Sequence, residues 1–210
     1  MSDFSPYMIK TFTECPRKFE YKYIKNIMMP QKASNFERGK KIHALANYYL
    51  KGADITKLEK ALASDEAKIW QTLKTNEFFN KQYVKSEYTL SAKIKNYWVG
   101  GRLDALMQDE NSYYILDYKT GSIPQNPEFD WQTMIYLYCA SKILNTTCIK
   151  FVYIDLKNNE NKIIEFSKTR QDEYENLLAE TLDKMNTVEF SQNPDACRFC
   201  EYQKLCLPQI

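Results

Sequence analysis

The chain has little that would place it in a membrane or outside the cell. None of its apolar runs reaches the roughly 18 residues that a membrane-spanning helix requires. The N-terminus, from Met1 to Pro6, lacks both the basic start and the apolar stretch of a signal peptide. These absences predict a soluble, cytoplasmic protein with no membrane partner.

Internal repeats, low-complexity stretches and glycine–serine linkers are absent as well, so nothing in the sequence divides it into modules. A chain of 210 residues is long enough to bury a substantial core. We therefore predict a single domain over residues 1–210. Within it we expect a helical N-terminal part at 1–80, a core at 81–190, and a cysteine-rich tail at 191–210 that packs with the Cys15 segment.

Neither sign of charge is in excess. The 29 Lys and Arg residues nearly balance the 27 Asp and Glu residues, and the formal net charge is +2. The strong basic excess that would mark a nucleic-acid-binding chain by composition is therefore missing. Any surface for nucleic acid must come from local segregation of charge.

The six cysteines are clustered in an informative way. A reducing cytoplasm does not favour a disulfide framework, so clustered cysteines indicate metal ligands. The tail contains Cys197-x2-Cys200-x5-Cys206, and Cys15, in a charged and aromatic segment, is the candidate for a fourth thiolate. The other two, Cys139 and Cys148, lie in apolar helix and strand contexts typical of buried free thiols. Four thiolates suit either zinc or a 4Fe–4S cluster, and the spacing does not separate the two.

Hydrophobic periodicity, caps and breakers predict alternating blocks of helix and strand. Ser5-Pro6 starts the first helix, in which Pro16 should produce a kink beside Cys15, and Ser34 with Glu37 forms a capping-box pattern for the second. The predicted helices span residues 5–23, 34–52, 54–79, 126–144 and 169–187. The predicted strands span residues 82–92, 97–107, 112–119, 148–156 and 161–167.

Two short runs within these strands carry the candidate chemistry. They are Gly101-x2-Asp104, and Asp117-Tyr118-Lys119 on the next strand. Because side chains of a strand repeat every two residues, Asp117 and Lys119 should share one face. Paired carboxylates hold a hard divalent cation such as Mg²⁺ or Mn²⁺, and such a cation with a nearby lysine suits phosphodiester hydrolysis. Alone, a D-x-K triplet is common and carries little weight.

Other residues gain meaning from that triplet. His43, the only histidine, could add a nitrogen ligand that favours Mn²⁺, and the carbonyl oxygen of Tyr118 could add another ligand. Gln132 and Tyr136 lie one helical turn apart and could support the site, although periodicity alone favours simple packing of Tyr136. Glu87 on the first strand is either an accessory acid or an exposed ion-pair partner.

These motifs, in this order, resemble the RecB-like branch of the PD-(D/E)xK nuclease superfamily. The similarity is greatest to its iron–sulfur members, such as the CRISPR-associated RecB-like exonucleases and the AddB nuclease domain, and it spans nearly the whole chain. The segments that carry it are Cys15-Pro16-Arg17-Lys18-Phe19, Gly39-x3-His43, Gly101-x2-Asp104, Asp117-Tyr118-Lys119-Thr120-Gly121, Gln132-x3-Tyr136 and the cysteine trio of the tail.

The resemblance implies an α/β fold of the restriction-endonuclease type, with a mixed central sheet flanked by helices and with both chain ends stapled by a metal cluster on four cysteines. It implies His43, Asp104, Asp117 and the Tyr118 carbonyl as ligands of Mg²⁺ or Mn²⁺. It also implies Lys119 as the catalytic lysine and Gln132 and Tyr136 as supporting residues. For the cysteines, it favours a 4Fe–4S cluster over zinc; its ligands would be Cys15, Cys197, Cys200 and Cys206.

The implied function is a metal-dependent DNA exonuclease acting on single-stranded ends, in the 5′ to 3′ direction of the iron–sulfur relatives, in CRISPR adaptation, phage recombination or repair. No Walker motif G-x-x-x-x-G-K-[ST] is present, so we expect any unwinding to come from a helicase or recombination partner. A CRISPR integrase is another expected partner. Candidate phosphate contacts are Lys18, Lys22, Lys25, Lys40 and Lys41.

The main alternative is a DNA-end-binding subunit of an adaptation or recombination complex, with little cutting of its own. A third hypothesis is a zinc-stapled structural protein in which the D-x-K triplet is accidental.

Overall fold

The computed structural model describes residues 4–30, 36–187 and 189–206. Its strands are β1 (Gln82–Ile94), β2 (Tyr97–Gln108), β3 (Tyr113–Lys119), β4 (Ile149–Asp155) and β5 (Glu160–Glu165). Its α-helices are α1 (Pro6–Glu14), α2 (Pro16–Phe19), α3 (Phe36–Leu50), α4 (Thr56–Lys60), α5 (Ser64–Lys74), α6 (Trp131–Leu144), α7 (Lys168–Thr187) and α8 (Gln203–Cys206).

The five strands form one mixed sheet in the order β1-β2-β3-β4-β5. The β3–β4 pair is parallel, with α6 as its crossover, and the other three pairs are antiparallel. This agrees with the predicted fold of a mixed sheet flanked by helices. All five strands match their predicted positions closely because alternation and β-branched content identify strands well.

A hydrophobic core lies on each face of the sheet. On one face, helices α1, α6 and α7 pack on residues such as Leu103, Ile115 and Phe151. On the other face, α3 and α5 pack on residues such as Leu116 and Val152. Successive residues of β3 and β4 therefore enter opposite cores, as the two-residue period of a strand requires. In α6, every residue from Thr133 to Ser141 is buried, which makes this helix the centre of the first core.

The first helical segment begins as predicted but does not run on to residue 23. The Ser5 hydroxyl accepts a hydrogen bond from the Met8 N–H, and α1 then ends at Glu14. Cys15 is extended, with φ of −163°, because the residue before a proline is pushed out of the helical region. Helix α2 starts at Pro16 and continues as a π-helical turn from Glu20 to Ile24. The proline thus breaks the helix instead of kinking it.

Two other helical boundaries differ from the sequence prediction. The stretch expected as one helix over 54–79 is two helices, α4 and α5, and the Glu66 carboxylate accepts from the Ala63 N–H at the start of α5. The helix expected from residue 126 starts at Trp131, because the Asp130 side chain caps it. Ser34, predicted to cap α3, lies outside the described residues. None of the described helices combines the length and apolarity needed to cross a membrane.

Glycine at position 101 lets α6 approach β2 closely. A Cβ atom there would lie 2.7 Å from Cε1 and 2.9 Å from the hydroxyl oxygen of Tyr136, well inside van der Waals contact. The Tyr136 hydroxyl donates to the Arg102 carbonyl over 2.8 Å, so the ring cannot swing away without losing this bond. The glycine of the Gly101-x2-Asp104 motif is therefore required by packing.

We expect Gly101→Ala to destabilise the protein by about 1–3 kcal/mol, the usual cost of overpacking a core. Denaturant unfolding measures this change, and Gly121→Ala is the matched control because nothing lies within 4 Å of its added Cβ. In a Tyr136→Ala background, Gly101→Ala should cost much less because the clashing ring is gone. An equal cost in both backgrounds would contradict this account of the close approach.

Candidate active site

The site begins where the pairing of β2 with β3 ends. The last pair of that ladder is Ala105 with Leu116. One residue further, the Asp104 carboxylate replaces the ladder by accepting the Tyr118 N–H over 3.0 Å. A hydrogen bond to a charged acceptor is worth about 1.5–3 kcal/mol, so Asp104 is held firmly at this position.

His43 reaches the same point from α3. Its Nδ1 lies 3.0 Å from Asp104 Oδ1 and its Nε2 lies 3.0 Å from the Tyr118 carbonyl oxygen. One turn earlier, Gly39 brings α3 close to the end of β3, since a Cβ atom there would be 3.3 Å from Thr120 Oγ1. The Gly39-x3-His43 spacing therefore places the imidazole between the two strands.

Asp117 and Lys119 lie on the α6 side of β3 and form an ion pair, with 2.8 Å between Lys119 Nζ and Asp117 Oδ2. The Gln132 amide joins both of them: its Nε2 donates to Asp117 Oδ1, and its Oε1 accepts from Lys119 over 3.4 Å. Gln132 thus orients the carboxylate and the ammonium together. Tyr136, one turn along, contacts β2 at Arg102 and does not contact Lys119 in any described hydrogen bond.

Burial and charge shift the proton affinities of these groups. Burial raises the pKa of Asp117, and the neighbouring Asp104 adds to this, while Lys119 opposes it. Burial alone would lower the pKa of Lys119, but the charge of Asp117 and its hydrogen bond raise that pKa above the ordinary value. The ammonium of Lys119 is therefore charged at neutral pH in this arrangement.

The donor set suits a divalent cation of intermediate hardness. One ligand atom each from His43, Asp104 and Glu87 lies within 4.8 Å of the others, and all three side chains are partly exposed. The Tyr118 carbonyl joins this group through its 3.0 Å contact with His43. Two carboxylates, an imidazole and a carbonyl match the ligands of Mn²⁺ and Mg²⁺.

Of the four ligands predicted from the sequence, His43, Asp104 and the Tyr118 carbonyl converge directly. Asp117 lies next to them but its carboxylate is engaged by Lys119 and Gln132. The sequence of β1 does not decide the role of Glu87, since a glutamate on a strand is also typical of a surface ion pair. Its approach to His43 depends on tertiary structure alone.

A cleft with a volume of about 550 Å³ opens beside Lys119. It lies between the start of α1, the middle of β2 and the start of α6. Its basic groups are Lys10, Arg102 and Lys119, and its aromatic groups are Tyr7, Trp131 and Tyr136. Most lysines predicted to contact phosphate are engaged elsewhere: Lys18 pairs with Glu201, Lys25 with Glu20 and Lys41 with Glu66.

The four cysteines expected to act together line one small pocket. Cys15, Cys197, Cys200 and Cys206 all face it.

Hydrogen bonds bring the tail to the N-terminal segment at this pocket. Asn193 Nδ2 donates to the Glu14 carbonyl over 2.8 Å, and the Ser191 carbonyl accepts from the Arg17 N–H over 3.0 Å. The remaining two cysteines lie apart from this pocket. Cys139 is buried in α6 as predicted, but the prediction of a buried thiol is wrong for Cys148, which is exposed just before β4.

Comparisons with known proteins give a family match and individual relatives. The sequence model of the PD-(D/E)XK nuclease superfamily matches residues 3–207. The CRISPR-associated exonuclease Cas4 of Francisella tularensis subsp. novicida is 27% identical over an alignment of 127 positions, which covers 57% of this chain and 61% of that protein. The chain therefore spans less than two thirds of the length of this relative.

A solved structure resembles the whole chain in fold. It is a provisionally named exonuclease from Eubacterium rectale, with a TM-score of 0.63 and 9% sequence identity. The match covers 98% of this chain and 88% of the other. At this identity the likeness concerns the fold alone.

The single histidine offers a direct test of the electrostatics, because its Hε1 proton gives one assignable NMR signal in protein without a histidine tag. Burial lowers the pKa of His43, but the hydrogen bond to Asp104 and the charges of Asp104 and Asp117 outweigh it and raise the pKa above 6.5. An NMR titration without added metal should therefore give a midpoint above 6.5, and Asp104→Asn should lower it. A midpoint at or below 6.5 in the parent protein would contradict this.

The same shift has a consequence for stability. A raised pKa in the folded state means that protonated His43 stabilises the fold, fully so below its unfolded pKa of about 6.5. This contribution disappears as the pH rises through the higher folded-state pKa.

Proposed function

The chain belongs to the PD-(D/E)XK nuclease superfamily, and on that premise we propose that it is a divalent-metal-dependent DNA exonuclease that shortens single-stranded ends. The observation that carries the proposal is the convergence of His43, Asp104 and the Tyr118 carbonyl beside the Asp117–Lys119 pair. The Cas4 relative is itself a CRISPR-associated exonuclease, which supports a role in CRISPR adaptation and the exonuclease activity. The iron–sulfur proteins that the sequence resembles favour the 5′ to 3′ direction.

His43, Asp104, Asp117 and the Tyr118 carbonyl would hold Mg²⁺ or Mn²⁺. A bound cation of this kind supplies charge stabilisation at the phosphoryl oxygens and activates a water for attack. One oxygen of Asp117 accepts from the Gln132 amide, and the other lies against the Lys119 ammonium. These two contacts fix the carboxylate in place without the cation.

Lys119 acts as a charge in this scheme. The charge of Asp117 and its hydrogen bond raise the pKa of Lys119, so its ammonium is placed to neutralise the scissile phosphate. Gln132 keeps it aimed at the cleft, where its side chain is partly exposed. Tyr136 supports this arrangement from behind by fixing β2 through the Arg102 carbonyl.

The cleft beside Lys119 is suited to one nucleic-acid strand. It combines positive charge from Lys10 and Arg102 with the rings of Tyr7 and Trp131. Proteins that bind single strands without sequence preference use this combination: cations for the phosphates and aromatic faces on which bases stack. A strand in this cleft would run past Lys119 and Gln132, which also line it.

The four-cysteine pocket is proposed to hold a 4Fe–4S cluster, with zinc as the alternative occupant. The support is chemical, since its four candidate ligands are all thiols, and positional, since they come from both ends of the chain. Burial raises the pKa of the Cys200 thiol, so a metal must displace its proton to bind there. A cluster at this place would join α2 to the tail.

We expect Asp117→Ala and Lys119→Ala to reduce Mn²⁺-dependent shortening of end-labelled single-stranded DNA by at least about 100-fold, since each removes transition-state charge stabilisation. The control is Lys57→Ala, which removes an exposed lysine of α4 that does not line the cleft. Thermal unfolding checks that the variants are folded. Full activity in both would overturn the site, and parent protein that retains DNA without shortening it would favour the DNA-end-binding subunit.

Protein purified without oxygen should be brown and absorb visible light if the cysteine pocket holds a 4Fe–4S cluster. Cys200→Ser should lower the iron content and the absorption strongly, because one of four thiolate ligands is lost. Cys148→Ser is the control, since that exposed cysteine is outside the pocket. A colourless protein containing one zinc per chain would replace the iron–sulfur proposal with a zinc site.

A further inference from the structure

Glu87 lies directly across the sheet from Asp104. The β1–β2 register pairs Ser86 with Ala105 and Tyr88 with Leu103, so the residue between Ser86 and Tyr88 faces the one between Leu103 and Ala105. Two carboxylates at opposed positions of neighbouring strands repel each other. This pairing is unfavourable unless a cation lies between or beside them.

Both strands change faces at this pair. On β2, Leu103 packs into the first core whereas Ala105, two residues on, packs into the second. On β1, the Ser86 hydroxyl donates to Asn47 of α3, while Leu90 packs into the first core. The change of face in β1 coincides with Glu87, whose φ is +49°. This conformation is rare for residues other than glycine and costs of order 1 kcal/mol or more.

The change of face brings the Glu87 carboxylate to His43. Its oxygen, an Asp104 oxygen and a His43 ring nitrogen all lie within 4.8 Å of one another. A regular strand would keep Glu87 in strict two-residue alternation with its neighbours and so fix the face of its side chain. Because the set includes the His43 imidazole, it offers a nitrogen ligand that a cluster of acidic side chains lacks.

Glu87 also makes an ion pair with an exposed arginine. Arg102 Nε lies 2.8 Å from Glu87 Oε2, and the Arg102 side chain is 66% exposed and lines the cleft beside Lys119. The carboxylate is thus shared between the cation group around His43 and the cleft. A cation bound by Glu87 would compete with Arg102 for it.

We propose that Glu87 is a further ligand of the catalytic divalent cation, completing the set formed by His43 and Asp104. The proposal rests on the proposed nuclease function and extends its metal site to β1. Arg102 then competes with the cation for the Glu87 carboxylate. When the cation binds, the Arg102 guanidinium is released and can bind a phosphate of the DNA strand in the cleft.

The test is Mn²⁺ binding to the full chain without DNA, measured by calorimetry or by the electron paramagnetic resonance signal of free Mn²⁺. Glu87→Gln keeps the size of the side chain but removes the charged ligand, so we expect at least about 10-fold weaker binding. Glu110→Gln is the matched control, an exposed acid in the turn after β2, and should bind Mn²⁺ like the parent.

Arg102→Gln distinguishes two roles of Glu87, that of a metal ligand and that of an ion-pair partner that only supports the strand. It breaks the same ion pair but leaves the Glu87 carboxylate and the Arg102 carbonyl in place. If Glu87 is a ligand, Arg102→Gln should bind Mn²⁺ as tightly as the parent or more tightly. Equal weakening by Arg102→Gln and Glu87→Gln would overturn the proposal, because the ion pair alone would then matter.

Two further results keep this proposal distinct from the proposed function. Parent protein that cuts DNA with Mn²⁺ while Glu87→Gln binds Mn²⁺ equally well overturns the role of Glu87 and leaves the nuclease intact. Parent protein that neither binds Mn²⁺ nor cuts DNA overturns both.

Discussion

The arrangement of the site depends on the Asp104 carboxylate at the point where two strands separate. One oxygen accepts the Tyr118 N–H, which the β2–β3 ladder no longer satisfies, and the other lies 3.0 Å from His43 Nδ1. A backbone N–H left without a partner in a partly buried place would cost about 1–3 kcal/mol. The same side chain that offers charge for a cation therefore also closes the sheet and anchors α3, so chemistry and folding constrain it together.

The fold was largely predictable because its elements are local patterns. Strand alternation placed all five strands, and the Asp117–Lys119 spacing put both on one face, as their ion pair shows. What could not be predicted was where side chains compete with backbone. Pro16 ended α1 at Glu14 instead of bending it, because the proline ring pushes Cys15 out of the helical region. The Asp130 cap delayed α6 to Trp131, because a single side-chain hydrogen bond decides which residue starts a helix.

The candidate site shows the same contrast between residues that a local motif marks and residues that only the tertiary structure places. Motif spacing indicated His43, Asp104, Asp117, Lys119 and Gln132. The structure places them in two neighbouring contact groups, His43 with Asp104 and Asp117 with Lys119 and Gln132, which meet at the Tyr118 backbone. Their assignment as ligands and catalytic groups stays a prediction until the activity and metal-binding measurements are made. The role of Glu87 could not be decided from the sequence, because its position relative to His43 depends on a left-handed φ and on the change of face in the β1–β2 pair. A single sequence predicts neither feature.

The cysteine pocket and the cleft share one helix, which gives the proposed cluster a mechanical connection to the substrate. Tyr7 and Lys10 of α1 line the cleft, while Cys15, directly after the end of α1, lines the cysteine pocket. Along the helix, Cys15 is therefore eight residues from Tyr7 and five from Lys10, roughly 8–12 Å at 1.5 Å per residue. The proposed metal ligands His43 and Asp104 belong to α3 and β2, which the tail does not hold by any described hydrogen bond. A metal that fixes Cys15 to the tail would thus hold one wall of the cleft in place while leaving the hydrolytic centre to the sheet.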